Sequence, residues 1–251
     1  MTQDPAVVHD HRNCFCSVLA DPGFQPVHAQ NLTERAVLLN NAFWGRGVRL
    51  RVAFMQGDGA LHHRVAELAQ AWPRETGANF SFEFWIDSGH DPADADIRVS
   101  FEPDKGSFSH LGRYAQAVDR RERTMNLGWM STSLPEDEAR AVVLHEFGHA
   151  LGLLHEHMNP ARPIDWNRGR VRADLRASQG WGDDVIDANM FSRYDPGQVF
   201  GTDVDPASIM MYPIPPEWTR DGFTVGFNTK LSPIDIALVQ RAYGRRPIFG
   251  G

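Results

Sequence analysis

The segment HEFGHALGLLHEH, residues 145–157, constrains the fold more than any other part of the chain, because it sets four histidines and two glutamates in an apolar background. On an α-helix, His149 lies one turn after His145 and about 40° around the axis, and Glu146 lies about 100° from His145 on the same side. The opposite arc is apolar and consists of Val143, Leu144, Phe147, Ala150 and Leu151. The sequence therefore predicts a helix with one face in a core and the other face carrying a site.

The spacing of this segment predicts a zinc site. Gly152 is expected to end the helix, because glycine adopts the left-handed conformation cheaply, and the turn brings His155 back toward His145 and His149. Three neutral imidazoles bind Zn²⁺ at about 2.0 to 2.1 Å and leave a fourth position open, as in catalytic sites. Glu146 can take a proton from water at that position as the water attacks a peptide carbonyl, and can then deliver the proton to the leaving amine.

A pair of histidines four residues apart is often no more than two surface residues, so HExxH by itself is a weak signal. The longer pattern HExxHxxGxxH is much more specific, because it also fixes the glycine and the third histidine. We therefore predict a zinc-dependent endopeptidase that cleaves proteins or peptides. The alternative is a latent or non-catalytic zinc-binding interaction module, which would be expected to lack the general base, and Glu146 is present.

Composition excludes several other classes. A chain of 251 residues that is 42% hydrophobic is long enough for one large domain or two small lobes. Its 32 acidic and 25 basic residues give a formal charge of −7 without a dense Lys/Arg cluster, so we expect no nucleic-acid partner. No segment approaches the roughly 18 consecutive apolar residues of a membrane span. Composition does not determine the oligomeric state.

Hydrophobic periodicity and turn-forming residues indicate how the chain is divided into a leader and a domain. Residues 1–38 are interpreted as an N-terminal leader with a hypothesised inhibitory role, and residues 39–251 as the catalytic domain, with lobes of about 39–155 and 156–251. The N-terminus has neither the basic nor the apolar region of a Sec signal peptide, so we expect a cytoplasmic protein or one exported by another route.

Several secondary-structure elements are predicted. Strands are expected within residues 48–55, 80–86, 95–101, 106–115 and 124–130, and a helix over residues 61–72. Ser133 and Glu136 are predicted to form a capping box before the histidine helix. The final helix is expected to have Ser232 as its cap and to end at Gly244, after a region from about 156 to 230 that is rich in loops.

The chain resembles the metzincin zinc metallopeptidases. Its histidines, Glu146 and Gly152 match the zinc signature of that clan, and SIMMYP, residues 208–213, looks like the Met-turn. With Glu156 directly after the third histidine, the chain is most similar to the astacins, and less so to the serralysins and matrixins. It lacks the two disulfides of animal astacins and has Met211 where many of them carry histidine, which leaves the subfamily open.

The resemblance implies a fold and further roles. The implied fold class is α+β: a twisted, mixed five-stranded sheet with two long helices in an N-terminal lobe, a loop-rich C-terminal lobe that ends in a helix, and a zinc cleft between the lobes. Met210 would be the Met-turn methionine beneath the metal. Tyr212 would be an additional zinc ligand that moves away when substrate binds and donates a hydrogen bond to the oxyanion. The strand around residues 106–111 would be the edge strand to which substrate adds. Peptidases of this clan usually act outside the cell.

Other candidate sites are supported less strongly. Cys14 or Cys16 is hypothesised to be a latency ligand that occupies the open zinc position, because thiolate binds zinc well. The alternatives are two ordinary thiols, or a second metal site formed with His9 and His11. The acidic stretch 87–96 is a candidate Ca²⁺ site, although it lacks the EF-hand order and solvated turns explain it more simply. Substrate preference and activation route cannot be predicted from the sequence.

Overall fold

The computed structural model describes residues 17–19, 42–160, 163–194 and 204–246. Almost all of the predicted leader, Cys14 and Cys16 included, lies outside these residues. Among the helices of the described residues, none has the length and hydrophobicity needed to cross a membrane.

The centre of the fold is a mixed β-sheet. Its strands are β1 (Ser17–Leu19), β2 (Val48–Phe54), β3 (Phe80–Trp85), β4 (Ile97–Ser100), β5 (Ser107–His110) and β6 (Met125–Leu127). Their order across the sheet is β1-β5-β6-β4-β2-β3, and every neighbouring pair is parallel except β5 and β6. Strands β2 to β6 confirm the predicted five-stranded mixed sheet. The sixth strand, β1, was not predicted, because its three residues are too short to show a period.

Helices cover the sheet and build the second half of the chain. They are α1 (Gly59–Ala69), α2 (Ala71–Thr76), α3 (Glu136–Ala150), α4 (Arg168–Gln179), α5 (Asp183–Ile186), which continues into a π-helical turn (Asp187–Phe191), and α6 (Pro233–Tyr243). The helix predicted over residues 61–72 is thus α1 with a break before α2. Helix α4 was not predicted, because only Val171 and Leu175 of its twelve residues are buried and most of the others are polar or charged.

The start of α3 differs from the prediction. Pro135 is the N-cap residue and no side chain caps the helix, so the capping box of Ser133 and Glu136 was wrong. Arg64 explains the difference, because its guanidinium donates hydrogen bonds to the carbonyl oxygens of Ser131 and Thr132 and also pairs with Glu136 at 3.2 Å. A cation from α1 therefore fixes the preceding turn. At α6 the prediction is confirmed: Ser232 and Asp235 form a reciprocal capping box.

Helix α3 packs its apolar face into the main core. The side chains of Val143, Leu144, Phe147 and Leu151 have no solvent exposure, and the ring of Phe147 meets that of Phe82 edge-on at 5.2 Å between centroids. Trp72 donates its indole N–H to the carbonyl oxygen of Leu144 at 3.0 Å, so its buried nitrogen is satisfied. Full burial of a large apolar side chain contributes about 1.5 to 3 kcal/mol, so these contacts fix the position of the opposite, histidine-bearing face.

The second half of the chain has its own hydrophobic cluster, whose members include Trp166, Leu175, Met190, Tyr212 and Trp218. Helix α6 instead returns to the main core through Val239 and Tyr243. The Tyr243 hydroxyl donates to the carbonyl oxygen of Leu151 at 2.7 Å, just beyond the end of α3. Helix α6 thereby holds the point at which the histidine motif leaves its helix.

Candidate metal and catalytic centre

The site begins where α3 ends. Gly152 has φ of +98°, and its N–H donates to the carbonyl oxygen of His149, while the Leu153 N–H donates to that of Gly148. This is a Schellman motif, which requires the left-handed conformation at the glycine. Ala42 also approaches closely, since a Cβ on Gly152 would lie 3.2 Å from its carbonyl oxygen. The turn places His155 opposite the helix.

Three imidazoles meet at this turn. The Nε2 atom of His149 lies 3.1 Å from that of His145 and 3.1 Å from that of His155. In the described part of the chain, these three residues are the one group of His, Cys, Asp or Glu side chains close enough to share a metal ion. Tetrahedral zinc with bonds of about 2.0 to 2.1 Å would hold its ligand atoms about 3.3 Å apart, so the arrangement fits the ion.

Hydrogen bonds select the ring nitrogen that faces the shared point. Nδ1 of His145 lies 2.8 Å from the carbonyl oxygen of Ile209, and Nδ1 of His149 lies 2.8 Å from that of Leu153. A carbonyl oxygen only accepts, so each Nδ1 carries the proton and each Nε2 presents a lone pair. Backbone partners of this kind orient metal ligands in proteins.

Burial keeps the three histidines in their metal-binding form. His145 opens partly onto a pocket, yet the surrounding protein removes enough water to lower its pKa to about 4. Desolvation, followed by the neighbouring imidazoles, lowers the pKa of His149 and of His155 well below the usual range. All three are therefore neutral at neutral pH, as coordination requires.

Glu146 and Tyr212 lie beside the triad, where the sequence and the resemblance placed them. Glu146 is 1% exposed and lines the same pocket as His145 and Tyr212. The Tyr212 ring centroid lies 4.4 Å from that of His155 and 6.0 Å from that of His145. A carboxyl group and a phenol thus lie next to the three imidazoles.

His157 is a neighbour for which the sequence analysis assigned no role. Its ring stacks on Tyr212 with centroids 4.4 Å apart and planes inclined by 21°, and its Nε2 lies 2.7 Å from the carbonyl oxygen of Asn189. Burial lowers its pKa to about 4. The sequence feature that could have identified His157 is its position two residues after His155. The His157 ring thus packs against the ring of Tyr212, which belongs to the hydrophobic cluster of the second half of the chain.

The turn at residues 208–213 passes beneath the triad. The Met210 sulfur packs directly on α3, since a Cβ on Gly148 would lie 2.4 Å from it. Asp235 fixes the turn, because its carboxylate accepts a hydrogen bond from the Ser208 hydroxyl at 2.6 Å and another from the Ile209 N–H at 2.8 Å. The sequence analysis missed this anchor, since nothing local links α6 to residue 208.

Glu156 is partly buried and directly follows His155 in the chain. Its N–H donates to the carbonyl oxygen of Met210, and its carboxylate accepts hydrogen bonds from the Asn159 side chain at 2.9 Å and from the Asp205 N–H at 3.1 Å. Burial, with smaller contributions from Asp235 and Asp205, raises its pKa to about 7. Glu156 therefore joins the third histidine to the turn below the metal site.

Two other hypotheses concern a latency ligand near the N-terminus and a Ca²⁺ site in residues 87–96. The latency ligands Cys14 and Cys16 lie outside the described residues. In the acidic stretch, Asp91 caps the short helix Pro92–Asp94 and Asp96 forms a bidentate ion pair with Arg51, so these carboxylates serve turn and pairing roles. No three ligand groups of the described stretch 87–96 converge on a Ca²⁺ position.

The chain is similar to known peptidases in both sequence and structure. The sequence model of the Astacin peptidase family matches residues 53–244. Two structures of myroilysin are similar to this chain. One has a TM-score of 0.77 and 33% sequence identity, and the match covers 83% of this chain and 98% of its own. The other has a TM-score of 0.66 and 31% sequence identity, and the match covers 93% of this chain and 92% of its own. High choriolytic enzyme 1, a hatching-enzyme zinc protease of the medaka fish Oryzias latipes, shares the fold at 16% identity, with a TM-score of 0.56 over 82% of this chain and 96% of its own. A comparison with curated protein sequences gave no significant match.

Proposed function

This chain belongs to the astacin family of zinc metalloendopeptidases, and we propose that His145, His149 and His155 hold its zinc while Glu146 is the general base. The observation that carries the proposal is the convergence of three Nε2 atoms, 3.1 Å apart in two pairs, at the wall of a pocket that Glu146 also lines. Bound zinc supplies Lewis acidity, which polarises a carbonyl and lowers the pKa of water.

The residues of the chain supply the proton transfers. The Glu146 carboxylate accepts a proton from the water that attacks the peptide carbonyl and then delivers it to the leaving amine. Tyr212 is the additional ligand and hydrogen-bond donor that stabilises the oxyanion, supported by its contact with His155. Met210 provides an apolar floor beneath α3, and Gly152 makes the turn that returns His155 to the site.

Glu146→Gln tests the catalytic assignment. Loss of the general base is expected to lower kcat/KM on a quenched peptide by about 10²- to 10⁴-fold while zinc stoichiometry stays at the wild-type value. Asp137→Asn is the matched control, because Asp137 is an exposed carboxylate in the first turn of the same helix. A chelator should abolish activity and zinc should restore it. Equal cleavage by wild type and Glu146→Gln would refute the assignment, and a zinc-loaded protein that cleaves nothing would favour the non-catalytic binding module.

We further propose that the leader, residues 1–38, keeps the enzyme latent. Strand β1 pairs in parallel with β5, with Ser17 opposite Phe108 and Leu19 opposite His110. The resemblance assigns the β5 edge to substrate, and the backbone groups used by β1 are those that an added peptide strand would need. Cys14 and Cys16 directly precede β1, which supports the hypothesis that one thiolate reaches the zinc.

Activity before and after limited proteolysis tests this latency. The intact chain should be nearly inactive and should gain activity as the leader is cut. Cys14→Ser and Cys16→Ser, made separately, should identify the ligand: the relevant variant should be active without cleavage, whereas the other should behave like wild type. If the intact wild-type chain is already fully active, the leader does not inhibit.

A further inference from the structure

We propose that His157 is a positioning residue, which holds the ring of Tyr212 in the orientation from which its phenol reaches the oxyanion. This inference rests on the proposed endopeptidase function, in which Tyr212 donates that hydrogen bond. His157 follows His155 by two residues, but it is not one of the three imidazoles that converge on the metal position. It therefore acts through its neighbour and not on the metal.

The imidazole of His157 contacts two aromatic rings. Its plane is inclined by 21° to that of Tyr212, with 4.4 Å between the centroids, so the two rings are stacked. Trp166 meets the same imidazole nearly edge-on, with planes at 83° and centroids 6.4 Å apart. His157 is only 4% exposed, so its ring is confined by these neighbours and has little freedom to move away from the phenol.

A hydrogen bond fixes the orientation of the imidazole. Nε2 of His157 lies 2.7 Å from the carbonyl oxygen of Asn189, which only accepts, so Nε2 donates its proton there. Asn189 belongs to the π-helical turn Asp187–Phe191, whose Met190 and Phe191 are buried in the hydrophobic cluster of the second half of the chain. Stacking restricts the tilt of the imidazole, and the hydrogen bond to this packed turn restricts its rotation.

The second ring nitrogen of His157 argues against a role in packing alone. Nδ1 is buried and has no hydrogen-bond partner among the described residues. An unmatched buried polar atom costs about 1 to 3 kcal/mol, and a phenylalanine ring would stack on Tyr212 without that cost. Packing therefore does not explain the imidazole. The hydrogen bond to the Asn189 carbonyl oxygen, which phenylalanine cannot make, does explain it.

The phenol of Tyr212 has to be placed accurately to be useful. One hydrogen-bond donor to an oxyanion contributes about 10²- to 10³-fold to kcat, and a displacement of about 1 Å removes about 10²-fold. The backbone carbonyl oxygens that orient His145 and His149 make no contact that depends on His157. Loss of His157 should therefore displace the phenol while the zinc ligands keep their arrangement.

A double-mutant cycle with Tyr212→Phe tests this link. kcat and KM would be measured on a quenched peptide with the full chain in the form that cleaves it. His157→Ala should lower kcat by about 10- to 100-fold and change KM by less than about 3-fold. In the Tyr212→Phe background it should lower kcat by less than about 3-fold, because the hydroxyl through which His157 acts is absent. A wild-type kcat for His157→Ala, or equal losses in both backgrounds, would overturn the inference.

A conservative variant and a matched control define the contribution of the ring. His157→Phe keeps an aromatic ring but loses the hydrogen bond to Asn189, so it should recover part of the kcat lost in His157→Ala. His62→Ala is the control, because the His62 imidazole also stacks on a phenylalanine, Phe54, at 4.2 Å, and also lies 2.9 Å from a backbone carbonyl oxygen, that of Gln56. His62 belongs to α1 and does not line the pocket, so kcat and zinc stoichiometry should stay at the wild-type values.

Side-chain NMR relaxation gives a readout that needs no turnover. The chain contains four tyrosines, so isotope-labelled tyrosine gives four sets of ring signals, and Tyr212→Phe identifies the set that belongs to Tyr212. In the zinc-loaded full chain, the Tyr212 ring should be rigid in wild type and in His62→Ala, and more mobile in His157→Ala. Unchanged mobility would overturn the inference.

The two measurements separate this inference from the proposed function. If wild type cleaves no peptide, the proposed endopeptidase function fails, and the mobility of the Tyr212 ring still decides whether His157 positions it. If His157→Ala does not fold or bind zinc, His157→Phe takes its place in the cycle and in the NMR comparison. A Tyr212 ring as rigid in that variant as in wild type, with wild-type kcat, would overturn the positioning role.

Discussion

Replacement of Glu156 by glutamine should stabilise the protein at neutral and alkaline pH. The carboxylate is largely buried between Asn159 and the Asp205 N–H, with further carboxylates on Asp205 and Asp235 nearby. Glutamine has nearly the same shape and keeps an oxygen that accepts both hydrogen bonds. Glu156→Gln thus removes a partly buried negative charge and little else, which makes it a direct test of whether that charge is compensated.

The raised pKa of Glu156 determines the expected gain in the free energy of unfolding and the pH range in which it develops. Burial moves the pKa of Glu156 from an ordinary 4.5 to about 7, so between these values the folded state binds more protons than the unfolded state and stability falls as pH rises. Each pKa unit corresponds to about 1.4 kcal/mol, so a shift from 4.5 to about 7 gives an upper bound of about 3.5 kcal/mol above pH 7. Since the side chain keeps some contact with water, we expect a gain of about 1 to 2 kcal/mol for the variant.

Urea unfolding followed by tryptophan fluorescence, repeated at a series of pH values with a fixed zinc concentration, measures this gain. Wild type and Glu156→Gln should be equally stable near the ordinary pKa of 4.5 and should diverge up to about 7. Glu217→Gln is the control, because Glu217 is exposed and its loss should change stability by less than about 0.5 kcal/mol. A variant that is less stable than wild type at pH 8, or a difference that does not vary with pH, would show that a cation already neutralises this carboxylate.

Three further outcomes are expected. Gly148→Ala should destabilise the fold by about 1 to 3 kcal/mol in thermal unfolding, because its Cβ would lie 2.4 Å from the Met210 sulfur, and an unchanged Tm would contradict the close packing. Tyr243→Phe should cost about 1 to 3 kcal/mol in a denaturant titration, because the buried Leu151 carbonyl oxygen loses its 2.7 Å hydrogen bond; a cost near zero would mean that water replaces the hydroxyl. Zinc release, followed with a chelating dye, should be slight at about pH 6, where ordinary histidine is mostly protonated. The reason is that burial lowers the pKa of His145 to about 4, so that its imidazole stays neutral and can coordinate. Zinc release that follows the titration of ordinary histidine would refute this expectation.

Elements with a strong local period were predictable, and elements held by distant partners were not. Strands β2 to β4 alternate over several residues, and the Ser232 cap of α6 is reciprocated three residues later, so local sequence contains the necessary information. The start of α3 failed as a prediction because Arg64 fixes the turn from another helix. Strand β1 was missed because only its pairing with β5, some ninety residues away, makes it a strand.

The sequence by itself determined the chemistry of the centre, because helical periodicity and one glycine bring His145, Glu146, His149 and His155 to one place using only local backbone geometry. Tertiary structure decided what surrounds that centre. The Asp235 anchor, the stacking of His157 on Tyr212, and the pocket between α3 and Phe227 all join residues far apart in the chain, and no local period encodes such contacts. The metal-binding pattern is therefore encoded in a short motif, whereas the surroundings of that motif depend on how the rest of the chain packs around it.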